Sequence, residues 1–243
     1  MLEPGLKQLA AVNAFRAAYE LPEECQLRNP RHLRALLAAC RQRGVEITEN
    51  CEVQQLVSEA GLMKSIRTTQ GDLTADTMVV TAGPWSQQLL AREQVHTGIF
   101  PMRGQIVLFK CDQPPFRHVL NEGPRYLVPR DDGYVLAGST EEEVGFDKST
   151  TEEAIAELID FAVDLAPALR NGHIEQTWAG LRPASFDGFP YIGRLPGCEN
   201  AFVASGHFRS GLHLSTGTAL VLADLMSGLT PPLDLTPFRV SRG

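Results

Sequence analysis

The residues with the clearest chemical potential lie in a glycine-rich turn near the end of the chain. Residues 206–217 read Gly-His-Phe-Arg-Ser-Gly-Leu-His-Leu-Ser-Thr-Gly, between an apolar run at 201–205 and a helix-like segment at 218–226. A turn that breaks a strand at glycine and opens a helix presents unpaired backbone N–H groups and the positive end of the helix dipole. The pattern indicates an anion-binding site, but glycine-rich turns also form for steric reasons alone.

A second candidate is Arg182, which lies in an apolar and aromatic stretch, 178–193, beside a turn at Asp187-Gly188. A guanidinium binds both oxygens of a carboxylate, and an arginine buried among apolar residues needs an anionic partner. The local sequence supports two interpretations of Arg182 equally well. The partner is either a ligand carboxylate or one of the 29 acidic residues of the chain.

A third segment, 77–86, reads Thr-Met-Val-Val-Thr-Ala-Gly-Pro-Trp-Ser. It is typical of a buried strand that ends at glycine, with Pro84 placed to begin a helix. Together the three segments resemble the FAD-dependent D-amino-acid oxidase (DAO) family, and most closely its glycine oxidase branch of the thiamine-pathway (ThiO) type. The resemblance spans most of the chain, from about residue 29 to about residue 228, in the order of the family.

The resemblance implies a mixed α/β fold, with a Rossmann-like FAD-binding domain and an antiparallel-sheet substrate domain. The FAD-binding domain would be discontinuous, formed by 29–98 and 175–228, with 99–174 as the substrate domain and with flanking segments at 1–28 and 229–243.

The family begins with a strand–turn–helix that carries G-x-G-x-x-G, whose glycines let the backbone approach the pyrophosphate of the dinucleotide. No two glycines of this chain are separated by a single residue. The resemblance therefore implies a truncated form that corresponds to roughly the C-terminal two-thirds of the usual polypeptide.

Local patterns place these segments on secondary structure. The pair Asn29-Pro30 and the apolar spacing up to Gly44 predict a helix, and an amphipathic pattern predicts a second helix over 152–165, capped by Thr150 or Thr151 and covering the antiparallel sheet. The remaining predictions are a helix-like segment at 6–19, a frayed or surface-bound tail at 230–243, and strands at 45–48, 52–57, 63–69, 77–81, 105–110, 125–128, 134–139 and 201–205.

The resemblance also implies roles for individual residues. Arg182 and Tyr126 would hold the substrate carboxylate, and Arg209 would lie beside the flavin and the substrate entrance; the alternatives are a core tyrosine and an ordinary exposed turn. Backbone groups at the start of the last helix would stabilise the negative charge of the reduced flavin ring. The cofactor-binding residues implied are Val53, Ala82, Gly83, Gly206, His207, Arg209, Ser210, Gly211 and Leu212.

Oxidation of an amino acid requires a held carboxylate, a Cα–H aimed at flavin N5 and a neutral amine. The resemblance implies hydride transfer from glycine or another small amino acid to non-covalent FAD, hydrolysis of the imine, and reoxidation by oxygen to give hydrogen peroxide. Residues 121–125 depart from the pattern before the family's tyrosine, so substrate preference is open. Two alternatives stay open: a non-catalytic fragment that needs a partner chain for the pyrophosphate site, and a D-amino-acid dehydrogenase that passes electrons to a quinone.

The composition of the chain limits the classes of partner and the cellular compartment that we expect for the protein. A formal net charge of −7 and a pI near 5.4 argue against nucleic acid or an anionic membrane surface. Five scattered cysteines without C-x-x-C spacing predict neither a disulfide framework nor a metal site, and no signal or membrane-spanning stretch is visible, so a cytoplasmic protein is predicted. Loss of the first strands would expose a sheet edge and an apolar face, which favours a homo-oligomer or a partner chain.

Overall fold

The structure, a computed structural model, describes residues 18–23 and 25–242. The described chain divides into two compact units. The first unit contains residues up to Ile47, together with Gly104–Glu142 and Lys148–Gly180; the second contains Thr48–Arg103, Glu143–Asp147 and residues 181–242. The predicted helix-like segment at 6–19 lies almost entirely outside the described residues.

The elements of the fold are four α-helices and eleven strands within the described residues. The helices are α1 (Asn29–Gln42), α2 (Ser86–Ala91), α3 (Glu152–Leu165) and α4 (Gly211–Met226). The strands are β1 (Val53–Glu59), β2 (Leu62–Thr68), β3 (Gly71–Leu73), β4 (Met78–Val80), β5 (Ile99–Lys110), β6 (Leu120–Glu122), β7 (Arg125–Pro129), β8 (Tyr134–Gly138), β9 (His173–Ser185), β10 (Tyr191–Arg194) and β11 (Ala201–Ser205). None of the helices in the described part of the chain is long and apolar enough to cross a membrane.

The strands form three sheets, and the predicted mixed α/β class is confirmed. A five-stranded sheet has the order β6-β7-β8-β5-β9, a three-stranded sheet has the order β1-β2-β3, and a second three-stranded sheet has the order β10-β11-β4. Strand β11 pairs with β10 antiparallel and with β4 parallel. The parallel pair is the part of the fold that positions the candidate site.

The core of the first unit lies between α3 and the antiparallel strands. Thr151 begins the helix with its side chain accepting a hydrogen bond from the backbone of Ala154, and two glutamates occupy the first turn, where the helix dipole favours negative charge. The buried face of α3 packs on strands β5, β7 and β8. This confirms the predicted helix, its cap and its place over the sheet.

Helix α1 confirms the predicted helix after Asn29-Pro30, but its apolar side chains are not buried. Leu33, Leu36 and Leu37 are 54%, 46% and 40% exposed. The strand predicted at 45–48 is wrong, because this stretch pairs with no strand among the described residues and stays irregular. Apolar residues alone favoured a strand there, but a strand also needs a neighbouring backbone to bond with.

The second unit begins with a hairpin and ends with an anchored tail. Strands β1 and β2 pair antiparallel across Ala60 and Gly61, which both have positive φ, as two-residue hairpin turns require. The tail predicted as frayed or surface-bound lies largely at the surface and is anchored by Val240, which is only 4% exposed and belongs to the core with Met78 and Val203. The surface-bound alternative therefore describes the tail, and fraying does not.

The limits of the two units differ from those of the predicted domains. Strands β5 and β9 each cross the division, at Arg103–Gly104 and at Gly180–Leu181, and residues 29–47 belong to the first unit. The predicted roles of the two domains, FAD binding and substrate binding, stay predictions.

Candidate active site

The candidate site lies at the carboxyl ends of the parallel strands β4 and β11 in the second unit. Two buried hydroxyls join the turns that follow these strands. Ser86 Oγ donates to Ser205 Oγ at 2.9 Å, and Ser205 Oγ donates to the carbonyl oxygen of Gly83 at 3.0 Å. Because parallel strands present their carboxyl ends at one edge, Ala82 and Gly83 lie at the same edge as the turn that starts at Gly206.

The turn between β11 and α4 needs its first glycine. Gly206 is buried with φ +84°, a conformation that L side chains rarely adopt. A Cβ there would lie 3.5 Å from Tyr191 and 3.6 Å from Ile99. These are ordinary contact distances, so the positive φ, rather than a clash of the Cβ, is what favours glycine at residue 206.

Helix α4 begins at Gly211, seven residues before the helix-like segment seen in the sequence. Gly211 and Gly217 lower the intrinsic helix propensity of this stretch, but packing on the sheet extends the helix through them. The N-cap residue Ser210 makes no side-chain cap, and no acidic residue stands in the first turn. The positive end of a 16-residue helix dipole therefore faces the turn without a carboxylate of the helix to neutralise it.

A cavity of about 290 Å³ opens beside this turn. Its wall is formed by residues of β11, α4 and the turns, which are Thr81, Ala204, His207, Gly211, Ser215, Thr218, Ala219 and Leu222. His207 Nε2 lies 3.0 Å from Thr218 Oγ1, and burial lowers the pKa of this histidine below its ordinary value. The lining of the cavity is therefore uncharged near neutral pH.

Arg182 lies on β9, half-buried, and its guanidinium carbon is 5.9 Å from the ring centroid of Phe208. Phe208 belongs to the β11–α4 turn and has φ +49°. An arginine over an aromatic face is attracted by the ring quadrupole, which restricts the position of the guanidinium. The structure thus brings Arg182 together with the turn predicted to face the flavin.

Tyr126 lies in the first unit, on β7. It is half-buried and opposite Gly138 of β8 in the antiparallel register. A Cβ at residue 138 would come within 3.0 Å of the Tyr126 hydroxyl oxygen and ring, so the glycine makes room for the tyrosine. Whether Tyr126 meets the substrate stays a prediction from the resemblance.

The other predicted residues have different surroundings. Val53 begins β1 and packs, half-buried, against the same core as Ala82. Arg209 is exposed in a single 3₁₀ turn, with Ser210 beside it donating its N–H to the carbonyl of His207 at 3.0 Å. Leu212 is half-buried in the first turn of α4.

The sequence interpretation missed the residues that tie the site together. Ser215 was predicted only as part of the glycine-rich turn and Thr218 only as the start of the helix-like segment, and the hydroxyls of Ser86 and Ser205 were not singled out. Only Ser205 carried a local signal, because it ends the apolar run 201–205 immediately before Gly206.

The chemistry of the site fits a flat, partly anionic ring. Small side chains and hydroxyls line the cavity, the helix dipole favours negative charge, and Arg182 lies beside the turn. Flavin meets these requirements, since its reduced ring carries negative charge at one edge.

Comparisons with known proteins agree with this chemistry. A family model described as FAD dependent oxidoreductase (DAO) matches residues 1–225. The chain is 37% identical over 225 residues to a glycine oxidase of Pseudomonas putida and 39% identical over 227 residues to one of Pseudomonas aeruginosa; each match covers 92% of this chain and 62% of the relative.

The fold is also that of a solved relative. A crystal structure of glycine oxidase from Geobacillus kaustophilus superposes with a TM-score of 0.82 at 30% identity, covering 86% of this chain and 57% of that one. The chain thus spans less than two-thirds of the length of the relatives it matches. The family model extends over nearly the whole chain, and the protein belongs to the DAO family of FAD-dependent oxidoreductases.

Proposed function

We propose that this protein takes part in the FAD-dependent oxidative deamination of glycine or another small amino acid. The observation that carries the proposal is the position of Arg182 beside Phe208, which brings a carboxylate-binding cation to the glycine-rich turn that opens α4. The glycine oxidases among its relatives support the same reaction class. FAD, held without a covalent bond, would accept the hydride from Cα and be reoxidised by oxygen to give hydrogen peroxide.

The residues of the second unit have separate tasks in this proposal. Backbone N–H groups at Gly211 and Leu212 bind the electron-rich edge of the ring, where the helix dipole stabilises developing charge. Ser210 lies beside them, with its own N–H donated to the carbonyl of His207 at 3.0 Å. His207, neutral because burial lowers its pKa, adds no positive charge to the cavity wall. Ala82 and Gly83 lie at the same sheet edge and bind the remainder of the dinucleotide.

Arg182 holds the substrate carboxylate in this proposal. Its position over Phe208 restricts the guanidinium and leaves less side-chain entropy to lose on binding. A held carboxylate fixes the orientation of Cα, and the amine loses its proton before the hydride leaves. Tyr126 is proposed as a second contact of the carboxylate on the strength of the resemblance alone.

Steady-state kinetics of Arg182→Ala with glycine and FAD test the proposal. Removing one partner of a desolvated charge pair costs about 2 kcal/mol or more, so kcat/KM for peroxide formation should fall roughly 30-fold or more, with a raised KM. Arg182→Lys should recover part of the loss, because the charge stays and the fork is lost. Arg194→Ala is the matched control, since Arg194 also lies over a phenylalanine, at 4.9 Å from the Phe202 ring centroid, on β10.

Two results would count against the proposal. An Arg182→Ala variant with unchanged KM would exclude a carboxylate role for this residue. A wild-type chain that yields no peroxide from glycine, sarcosine or small D-amino acids at any FAD concentration would exclude oxidase activity of this chain alone. Substrate oxidation that reduces a quinone but yields no peroxide would indicate the dehydrogenase alternative.

A second candidate function is that of a subunit whose pyrophosphate site comes from another chain. Strand β4 is at the edge of its sheet in the described part of the molecule, and Leu214 and Leu220 on α4 are 47% and 65% exposed. An open edge beside a parallel pair accepts a further parallel strand, and exposed leucines favour association. Co-expression with a chain that carries G-x-G-x-x-G, followed by co-purification and flavin absorbance, tests this candidate. A homo-oligomer and a cytoplasmic location are proposed on the sequence alone.

A further inference from the structure

The C-terminal tail forms a concentrated set of interactions that the proposed function does not use. Arg242 lies near the end of the described chain, and its side chain is only 10% exposed. It reaches back more than fifty residues along the sequence to the turn that joins β9 to β10. A guanidinium with so little exposed surface loses hydration and side-chain entropy, so its partners must offset that loss.

Those partners are numerous and well aligned. Nε of Arg242 donates to Asp187 Oδ2 at 2.7 Å and Nη2 donates to Asp187 Oδ1 at 3.1 Å, which is the two-pronged geometry of a strong arginine–carboxylate pair. Nη1 donates to the carbonyl of Pro190 at 3.0 Å, and Nη2 also donates to the carbonyl of Phe189. The guanidinium carbon lies 3.7 Å from the ring centroid of Tyr191. One side chain therefore contacts four of the five residues 187–191, all except Gly188.

Asp187 is itself part of the turn. Its Oδ1 accepts the N–H of Phe189 at 3.1 Å, and the carbonyl of Phe189 accepts Ser185 Oγ at 2.7 Å. The hydrogen bond from Arg242 lowers the pKa of Asp187 below its ordinary value, so the carboxylate is ionised near neutral pH. The tail is anchored on its other side by Val240, which is buried in the core that includes Tyr191.

The turn between β9 and β10 adjoins the candidate flavin site through the pairing of β10 with β11. Tyr191 is opposite Ser205, the residue before Gly206, and a Cβ added at Gly206 would lie 3.5 Å from the Tyr191 ring and 3.6 Å from Cα of Pro190. Gly206 is the first residue of the turn that opens α4, and its backbone direction determines where the N–H groups of residues 210–212 point. Close-packed interiors transmit displacements rather than absorb them, so loosening Tyr191 and Pro190 loosens Gly206.

We propose that Arg242 is a positioning residue for the candidate flavin site, acting through the Asp187–Tyr191 turn on Gly206. This inference rests on the proposed function for the identity of the ligand. Its mechanical part, the coupling of residue 242 to residues 206–212, does not require a bound flavin.

Hydrogen–deuterium exchange of the flavin-free chain tests the mechanical part. Arg242→Ala should raise exchange at least tenfold in peptides that cover 185–191 and also in peptides that cover 205–212, with the five-stranded sheet unchanged. A rise confined to 185–191 would overturn the inference. Asp187→Asn is the second variant, because it removes the ion pair and keeps the size and most of the fold; it should give the same pattern with a smaller rise.

Two further variants separate a positioning role from simple stabilisation. Arg239→Ala removes an exposed arginine of the same tail and should change neither segment. Arg242→Lys keeps the charge and loses the fork, so it should restore only part of the protection. Protection from exchange in Arg242→Lys equal to that of the wild type would show that the positive charge alone suffices. It would overturn the assignment of the positioning role to the two-pronged arginine–carboxylate pair.

Titration with FAD, followed by flavin fluorescence, tests the link to the ligand. Arg242→Ala should raise the Kd about tenfold, and Arg239→Ala should leave it unchanged. A wild-type chain that binds FAD while Arg242→Ala binds it equally well would overturn the positioning role and leave the proposed function intact. A wild-type chain that binds no FAD would contradict the proposed function, and the exchange pattern would still decide whether Arg242 positions Gly206.

Discussion

Helices α3 and α4 have similar lengths, 14 and 16 residues, and belong to different units. Helix α3 begins with a side-chain cap from Thr151 and two glutamates, and it buries Leu158, Phe161, Ala162 and Leu165. Helix α4 begins at an uncapped serine with no acidic residue in its first turn, and it buries only Val221 and Leu222.

Helix α3 has its N-terminus capped and its apolar face buried within its own unit, whereas α4 has neither. The side chain of Thr151 accepts a hydrogen bond from a backbone N–H in the first turn of α3. The apolar face of this helix is buried in the core of the first unit. Helix α4 has no distinct apolar face, and one side of it, from its first residue Gly211 to Leu222, lines a cavity. We infer that α3 has a structural role and that α4 has a ligand-binding role.

The largest expected effect compares a buried leucine of α3 with an exposed leucine of α4. Leu158→Ala removes a side chain that is 1% exposed and should lower the free energy of unfolding by about 2–5 kcal/mol. Leu220→Ala, at a residue 65% exposed, should change it by less than about 0.5 kcal/mol. Urea denaturation followed by circular dichroism measures both. A large loss from Leu220→Ala in the monomer would show that α4 is covered within the chain.

The next effect concerns charge at the two helix starts. Ser210→Asp places a carboxylate where the flavin ring is proposed to bind and should raise the Kd for FAD roughly tenfold, by competing for the helix dipole. Thr151→Asp is the matched control at the start of α3, where aspartate caps as well as threonine. Flavin fluorescence titration distinguishes them. Equal affinity of the two variants would exclude the start of α4 as the flavin site.

A smaller effect concerns the caps themselves. Thr151→Ala should cost about 1 kcal/mol of unfolding free energy, because the N–H of Ala154 loses its side-chain acceptor. Ser210→Ala should cost much less, since Ser210 makes no side-chain cap. Thermal unfolding of the two variants beside the wild type measures the difference. A cost from Ser210→Ala equal to that from Thr151→Ala would remove the distinction between the two helix starts.

The smallest effect is a pH dependence at α4. Burial lowers the pKa of His207 in the folded state, so the unfolded chain binds the proton first as the pH falls. The contribution of His207 to the free energy of unfolding should be present in full above about pH 6.5. It should be lost as the pH falls below that value, by about 1.4 kcal/mol for each tenfold difference in proton affinity between the folded and the unfolded state.

His207→Gln keeps a hydrogen-bonding group beside Thr218 and should flatten this part of the pH profile. His213→Gln, on an exposed position of α4, is the control and should leave the slope as it is. Denaturation midpoints between pH 5 and pH 8 measure the slope. If the slope persists in His207→Gln, the pH dependence arises from other titratable groups.

Much of this architecture could be predicted from the sequence where a pattern was local. The cap at Thr150 or Thr151, the proline at residue 30 and the strand patterns at 125–128 and 134–139 each act within a few residues, and the helices and strands they predict are present. The strand expected at 45–48 failed because a strand depends on a neighbour, which local composition does not report.

The parts of the site that could not be predicted depend on distant residues. The bonds from Ser86 to Ser205 and from Arg242 to Asp187 join positions 119 and 55 residues apart. Gly206 was recognisable as a turn glycine, but its contact with Tyr191 depends on the course of β10. Resemblance to a family supplied the candidate residues, and their physical neighbours came only from the structure.

The measurement that tests the central claim most directly is hydrogen–deuterium exchange of the whole chain with and without excess FAD. If the start of α4 binds the flavin, FAD should protect the amides of residues 206–212, and Ser210→Asp should abolish that protection while Thr151→Asp keeps it. Protection that is absent from this turn at saturating FAD, or that survives unchanged in Ser210→Asp, would contradict the assignment of the site to α4.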